Sequence, residues 1–406
     1  MRFIWAAVFF LGAAPARALE WIPIAGITAL GGLHSFRGDR GSLSGNVDAV
    51  FSPALRLSQS WSLLPSVRSG YEGTRRVADI LGAGTLAQET MEHKAGVRAV
   101  WASPSSRWRL KPGFSYKAAF LKETRDESWG GGLFDERLWA VGGEAELILR
   151  EPHALRASLD WFDAAYPNYT SLESQAALQF AGQPIARELV GDSVLDRSGL
   201  RLGLAWDVPI GERLRLDSAF SSVWSRYPRQ KVVNDAGQFD DVAREDLLSA
   251  MTLAARMPHE WNADLSALAS LTLRAGFLSS NQNGYDASRG RFLARFYDYN
   301  ELSILPAVKI LFGPTREPVS LDLGLGWRKR SYLARAAQDG TGVYGGGSLY
   351  TTEWTLTSTL TYPIARRFSL LFNVERVSAS SNQRFEHFYR YAYEATTVLA
   401  GVRWAW

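Results

Sequence analysis

The 406-residue chain contains no cysteine. Disulfides therefore cannot hold the fold together, and a small stapled secreted domain is excluded. Beyond the first eleven residues, no apolar run reaches the roughly 20 residues that a membrane-spanning helix needs. Histidine is scarce: His34, His93, His153, His259 and His387 are five in all. They form no His/Cys cluster of transition-metal spacing, so neither metal nor cofactor is expected. The formal charge of +4 falls to +2 if Arg2 and Arg17 leave with an N-terminal segment. That small excess excludes the strongly basic face of a nucleic-acid binder. Repeats of helical period are also missing.

The N-terminus carries an address. Arg2 precedes the apolar run Phe3-Ile4-Trp5-Ala6-Ala7-Val8-Phe9-Phe10-Leu11, and Ala16-Arg17-Ala18 is an A-x-A cleavage site. Residues 1–18 are thus expected to be a cleaved secretory signal peptide, with the mature chain starting at Leu19. Residues 19–406 then form one domain, and the strand that follows so soon leaves no room for a plug or periplasmic arm. This domain is rich in amphipathic aromatics, for the chain has 15 Trp, 15 Tyr and 36 Gly at a mean hydropathy of -0.13. A sheet with one face toward lipid and the other toward water has that profile.

Alternation of period two runs through the domain, broken by punctuation in a regular order. Short turns are expected at 58–60, 104–106, 151–153, 209–212, 258–260, 313–318 and 364–366. Longer polar loops are expected near 35–43, 77–88, 125–136, 167–197, 228–244, 281–291, 336–349 and 382–389. Seven turns and eight loops join about sixteen strands, which predicts an all-β fold: a single transmembrane antiparallel barrel with short periplasmic turns and long extracellular loops. Fourteen strands is the alternative, because Arg244-Glu245-Asp246-Leu247-Leu248-Ser249-Ala250-Met251 favours helix by propensity.

Alternation also assigns faces. Trp108, Leu110, Phe114 and Tyr116 share one side of a strand, and Arg109, Lys111 and Lys117 share the other. Aromatics gather near strand ends in two expected girdles. Trp61, Trp101, Trp108, Phe312, Tyr362, Phe368, Trp404 and Trp406 lie beside the turns. Tyr71, Trp139, Tyr166, Trp224, Tyr227, Tyr332, Tyr350 and Tyr391 lie toward the loops.

In the last strand Val398, Ala400, Val402, Trp404 and Trp406 alternate with Thr397, Leu399, Gly401, Arg403 and Ala405. This resembles the terminal signal of bacterial outer-membrane β-barrel proteins, with Trp where Phe is commoner. The resemblance implies insertion by the barrel-assembly machinery into an outer membrane, among lipid and lipopolysaccharide, in a porin-like protein.

The inward positions would set the chemistry. Pore-lining candidates are Arg98, Arg109, Lys111, Lys117, Arg201, Arg215, Arg274, Arg328 and Arg330, with Glu144, Glu146, Asp207, Asp322 and Glu353. Basic residues outnumber acidic ones, which points to a mildly anion-preferring pore. The competing reading is that these charges pair across strands and fill a wet interior. Loop 167–197 is long enough to constrict the lumen or to cap it from outside. No catalytic residue is expected, since His93 and Glu92 must face opposite ways. The function expected is passive diffusion of small hydrophilic solutes. The alternative is a non-conducting structural or interaction barrel that acts as outer-membrane anchor or subunit of an export or surface-assembly complex. Partners expected under either reading include a second copy of the chain or a secretion-complex protein.

Overall fold

A computed structural model describes residues 20–36, 42–73, 76–78, 85–87, 89–124, 126–170, 178–180, 183–185, 191–211, 213–286, 291–313, 317–385 and 391–406. Sixteen strands form its barrel. The first, β1 (Ala25–Phe36), is prefaced by Glu20–Ile22, and β2 (Ser42–Phe51) is continued by Ala54–Arg56. Then come β3 (Trp61–Glu72), β4 (Glu89–Ala102), β5 (Trp108–Lys122), β6 (Glu136–Arg150), β7 (His153–Ala165) and β8 (Arg197–Ile210). The second half is β9 (Leu214–Val233), β10 (Phe239–Asn262), β11 (Leu265–Ser280), β12 (Tyr299–Phe312), β13 (Val319–Gln338), β14 (Tyr344–Ala365), β15 (Phe368–Ser381) and β16 (Tyr393–Ala405). Each pairs antiparallel with the next. β16 then pairs with β1, from Gly26↔Ala405 to Phe36↔Ala395, and the sheet closes.

Closure satisfies the edge hydrogen bonds that an open sheet would leave bare in lipid. The outer face carries the apolar residues: Leu202, Leu204, Leu271, Leu323, Leu356 and Phe372 are all exposed. Inward positions are small or polar, as in the Thr355, Thr357, Thr359 and Thr361 series of β14. Arg244–Met251 lies wholly within β10, so the helix propensity there is overridden by pairing on both sides with β9 and β11.

Three boundaries differ from expectation. Residues 258–260 are not a turn: β10 runs on to Asn262, whose Oδ1 accepts the Asp264 N–H at 2.9 Å and fixes the turn there. The expected loops 228–244 and 336–349 shrink to short connections, because β9, β10, β13 and β14 extend to 20, 24, 20 and 22 residues. A membrane crossing takes only about 9–11. The extensions stand above the apolar belt, where lipid no longer selects the outer side and the buried side mixes Gln230 and Arg244 with Val233 and Leu349, so alternation gives no sign of them. Ladder irregularities mark the passage, between Tyr227 and Lys231 and between Ser331 and Ala336.

The turn-side girdle faces outward, with Trp61, Trp108, Phe312, Tyr362, Phe368 and Trp406 exposed. On the loop side Trp139, Trp224 and Tyr350 do the same. Tyr166, Tyr227, Tyr332 and Tyr391 instead are buried at 7% exposure or less. Tyr227 and Tyr332 fall on inward register positions and stack on arginines, which removes them from the girdle.

The expected signal peptide, residues 1–18, lies outside the described residues. So do residues 171–177, 181–182 and 186–190 of the 167–197 loop. Within that loop Leu178–Phe180 is a strand paired with Gln183–Ile185.

Candidate functional site

The inward face of β5 to β10 is a continuous series of charges. Arg109 lies 3.5 Å from Glu146, and Lys111 reaches Glu144 at 2.7 Å and Glu146 at 2.9 Å. On the next strands Arg156 meets Asp207 at 2.6 Å, while Arg215 stands 3.8 Å from Asp207 and 3.2 Å from Asp217. Arg256 ends the series 2.9 Å from Asp217. Opposite charges on neighbouring strands are each worth roughly 0.2–1 kcal/mol. The series therefore steadies the wall more than it strengthens the fold.

The far wall repeats the device. Lys309 pairs with Asp322 at 3.4 Å, Arg330 with Glu301 at 2.8 Å, and Arg328 with Glu353 at 2.8 Å. The Tyr393 hydroxyl donates to the same Glu353 at 2.8 Å. Of the acidic candidates, Glu144, Glu146, Asp207, Asp322 and Glu353 are thus all engaged. Among the cations, Arg98, Arg201 and Arg274 have no carboxylate partner among the described residues, and Lys94 joins them.

Toward the extracellular rim the contacts become aromatic. Lys117 and Arg197 share Glu136, which also accepts from the Tyr166 hydroxyl at 3.4 Å. Burial, despite Arg197 nearby and aided by Glu136, pushes the Tyr166 phenol well above its ordinary range. Arg244 is 1% exposed and lies between Tyr227 and Tyr297, 5.0 and 4.9 Å from their ring centroids. Its Nε and Nη2 donate to both oxygens of Asp246, at 3.0 and 2.9 Å. Arg330 stacks on Tyr299, and Arg335 is set among Phe296, Tyr332 and Tyr391. Arg244 was not among the sequence candidates. Its signal was the spacing Arg244-Glu245-Asp246, which puts both partners on one face.

The histidines are spent elsewhere. His34 Nδ1 is 2.9 Å from Thr397 Oγ1 across the closing seam, and His153 Nε2 accepts from Trp206 at 2.7 Å. His93 Nδ1 is 2.8 Å from Ser69 Oγ on the outward face, with Glu92 on the other side of the strand.

A closed sixteen-stranded sheet, apolar outside and charged within, is a transmembrane β-barrel of the outer-membrane type. No family model and no curated protein matches the chain. Among solved structures it is similar to OprB of Pseudomonas putida, at 10% identity over 95% of this chain and 94% of that one, with a TM-score of 0.45. OccD3 (OpdP) of Pseudomonas aeruginosa gives 12% identity over 97% and 93%, with a TM-score of 0.45. OmpF of Salmonella typhi, in complex with daunomycin, gives 8% over 96% and 98%, with a TM-score of 0.44. These are likenesses of fold alone.

Proposed function

We propose that this chain is an outer-membrane channel through which small hydrophilic solutes diffuse, with a preference for anions. The observation that carries the reading is the charge balance of the inward face. Its acidic candidates are neutralised by neighbouring cations, while Lys94, Arg98, Arg201 and Arg274 have no carboxylate partner among the described residues and outnumber the unpaired inward carboxylates Glu92 and Asp160. A net positive wall in a low-dielectric surround lowers the barrier to anions more than to cations. Export through the cleaved segment 1–18 belongs to the same proposal. So does recognition of Val398, Ala400, Val402, Trp404 and Trp406 by an assembly machinery.

The test is conductance of the purified protein in planar bilayers under a potassium chloride gradient. Stepwise single-channel currents are expected, with a reversal potential of the sign given by chloride preference. A cation-selective current would overturn the anion preference. Absence of current would overturn the channel, in favour of a closed barrel that anchors a surface or export assembly.

A further inference from the structure

The unpartnered cations are not scattered. Arg68, Lys94 and Lys117 stand directly opposite one another on β3, β4 and β5. Like charges in that relation repel. Arg68 is relieved by Asp48 at 2.7 Å and Lys117 by Glu136, which leaves Lys94 between them.

Four residues along the strands, another inward row runs Arg98, Gly113, Gly142, Asp160, Arg201. The two glycines remove side chains from the wall between the two arginines. Asp160 turns toward the glycine side: its Oδ1 lies 2.3 Å from where a Cβ on Gly142 would stand. It makes no ion pair with Arg201, its cross-strand neighbour. Lys94, Arg98, Arg201 and Asp160 thus line one cavity of about 230 Å³. Lys111 borders it too, already held by Glu144 and Glu146. Glu92, on the strand of Lys94 and Arg98, is a further inward carboxylate, and Asp48 and Glu72 line the adjoining space with it.

Arg201 also borders a second cavity, of about 290 Å³, with a different lining. Leu138, Phe162, Leu248 and Leu278 supply its apolar surface, and the Arg201 guanidinium lies 5.7 Å from the Phe162 ring centroid. Arg197, Arg244, Arg330 and Asp246 border it with four tyrosines. A liquid water occupies roughly 30 Å³. The first cavity therefore has room for an anionic group with several waters, and the second for a small ring.

We propose that Lys94, Arg98 and Arg201 bind the carboxylate of a small organic anion whose apolar body lies against Phe162, Leu138 and Leu248. That such an anion is in transit rests on the channel reading; the binding does not. Arg201 supplies the forked donor pair that suits a carboxylate, Lys94 and Arg98 supply charge, and Phe162 supplies a flat apolar face.

Equilibrium titration of the detergent-folded protein with benzoate, acetate and inorganic phosphate tests this, beside conductance of the same preparation. Benzoate is expected to bind more tightly than acetate or phosphate. Arg201→Gln should weaken benzoate about tenfold, in the range of one charged hydrogen bond lost, with partial recovery in Arg201→Lys. Lys94→Gln combined with Arg98→Gln should weaken all three anions. Arg376→Gln, on the outer face, should change nothing, and folding of each variant is read from its heat-dependent gel migration. Equal benzoate affinity in wild type and Arg201→Gln overturns the proposal, as does phosphate or acetate binding as tightly as benzoate. A protein that conducts without Arg201-dependent binding keeps the channel and loses the station. One that binds through Arg201 without conducting does the reverse.

Discussion

Asp339 shows how a single side chain holds one of the exposed rims. Its Oδ1 accepts from the Thr341 N–H at 2.8 Å, the Thr341 hydroxyl at 2.7 Å and the Val343 N–H at 3.0 Å. These donors favour the charged form, so the carboxyl titrates below the ordinary aspartate range. The sign follows from linkage. Because the folded value is depressed, the stabilisation is present above the unfolded value and is lost as pH falls through the folded one. Protection of the Thr341 and Val343 amides, taken relative to their intrinsic exchange rates, is therefore expected to fall on acidification below the usual aspartate range, and Asp339→Ala should abolish that dependence. An unchanged pH profile in the variant would sink the assignment. At this scale the sequence was most legible where lipid imposed a choice. Arg109, Lys111, Arg201 and Arg328 all face inward as alternation required, because the alternative is a charge in hydrocarbon. It was least legible for Arg244, whose burial depends on Tyr227 and Tyr297 from two other segments.

Among the strands, the closing pair carries a requirement that pattern alone did not expose. Gly32 on β1 and Gly401 on β16 sit where the two strands press together. A Cβ on Gly401 would stand 1.9 Å from the Ala29 carbonyl oxygen, and one on Gly32 would stand 2.0 Å from that of Val398. Both obstacles are backbone, so relief needs the strands to move apart. Gly401→Val is expected to cost at least ~1–3 kcal/mol, the range for overpacking, and to lower the urea midpoint of the folded band on gels. A midpoint equal to wild type would show that the seam yields freely. The outward residues of β16 were visible as a pattern because lipid selects for size and apolarity. Gly401 looked merely permissive, since its constraint comes from a partner some 370 residues away in the chain. The same reasoning explains β9, β10, β13 and β14, whose upper halves read as loops: there the outer side is wet and the buried side mixes polar Gln230 and Arg244 with Val233 and Leu349, so nothing enforces period two.

For the whole barrel, the proposed preference for anions rests on electrostatics, because the described wall presents charges and not a fitted ring of donors around the perimeter. Such a field is screened within about 10 Å at 0.1 M salt and about 3 Å at 1 M. The chloride preference is thus expected to be largest in dilute salt and to approach the ratio of free mobilities in 1 M. A selectivity independent of concentration would point instead to a narrow constriction. Strand number and face assignment followed from parity and punctuation, whereas the position of the unpartnered cations needed the register. Lys94, Arg98 and Arg201 lie on strands whose neighbours could be named from sequence but not aligned.

The seam has one more implication. Every other strand pairing joins consecutive strands, and the Trp406 N–H donates to the Ala25 carbonyl at 2.8 Å, so the ends of the described chain meet on one rim. Linking those ends and reopening the ring at the Asp339–Gly342 turn would produce a circular permutant with the pairings of the barrel intact. Such a molecule would fold in detergent by the same contacts, yet present a different last strand to a cell. Comparing the two would separate what β16 does as a piece of the ring from what it says as a label.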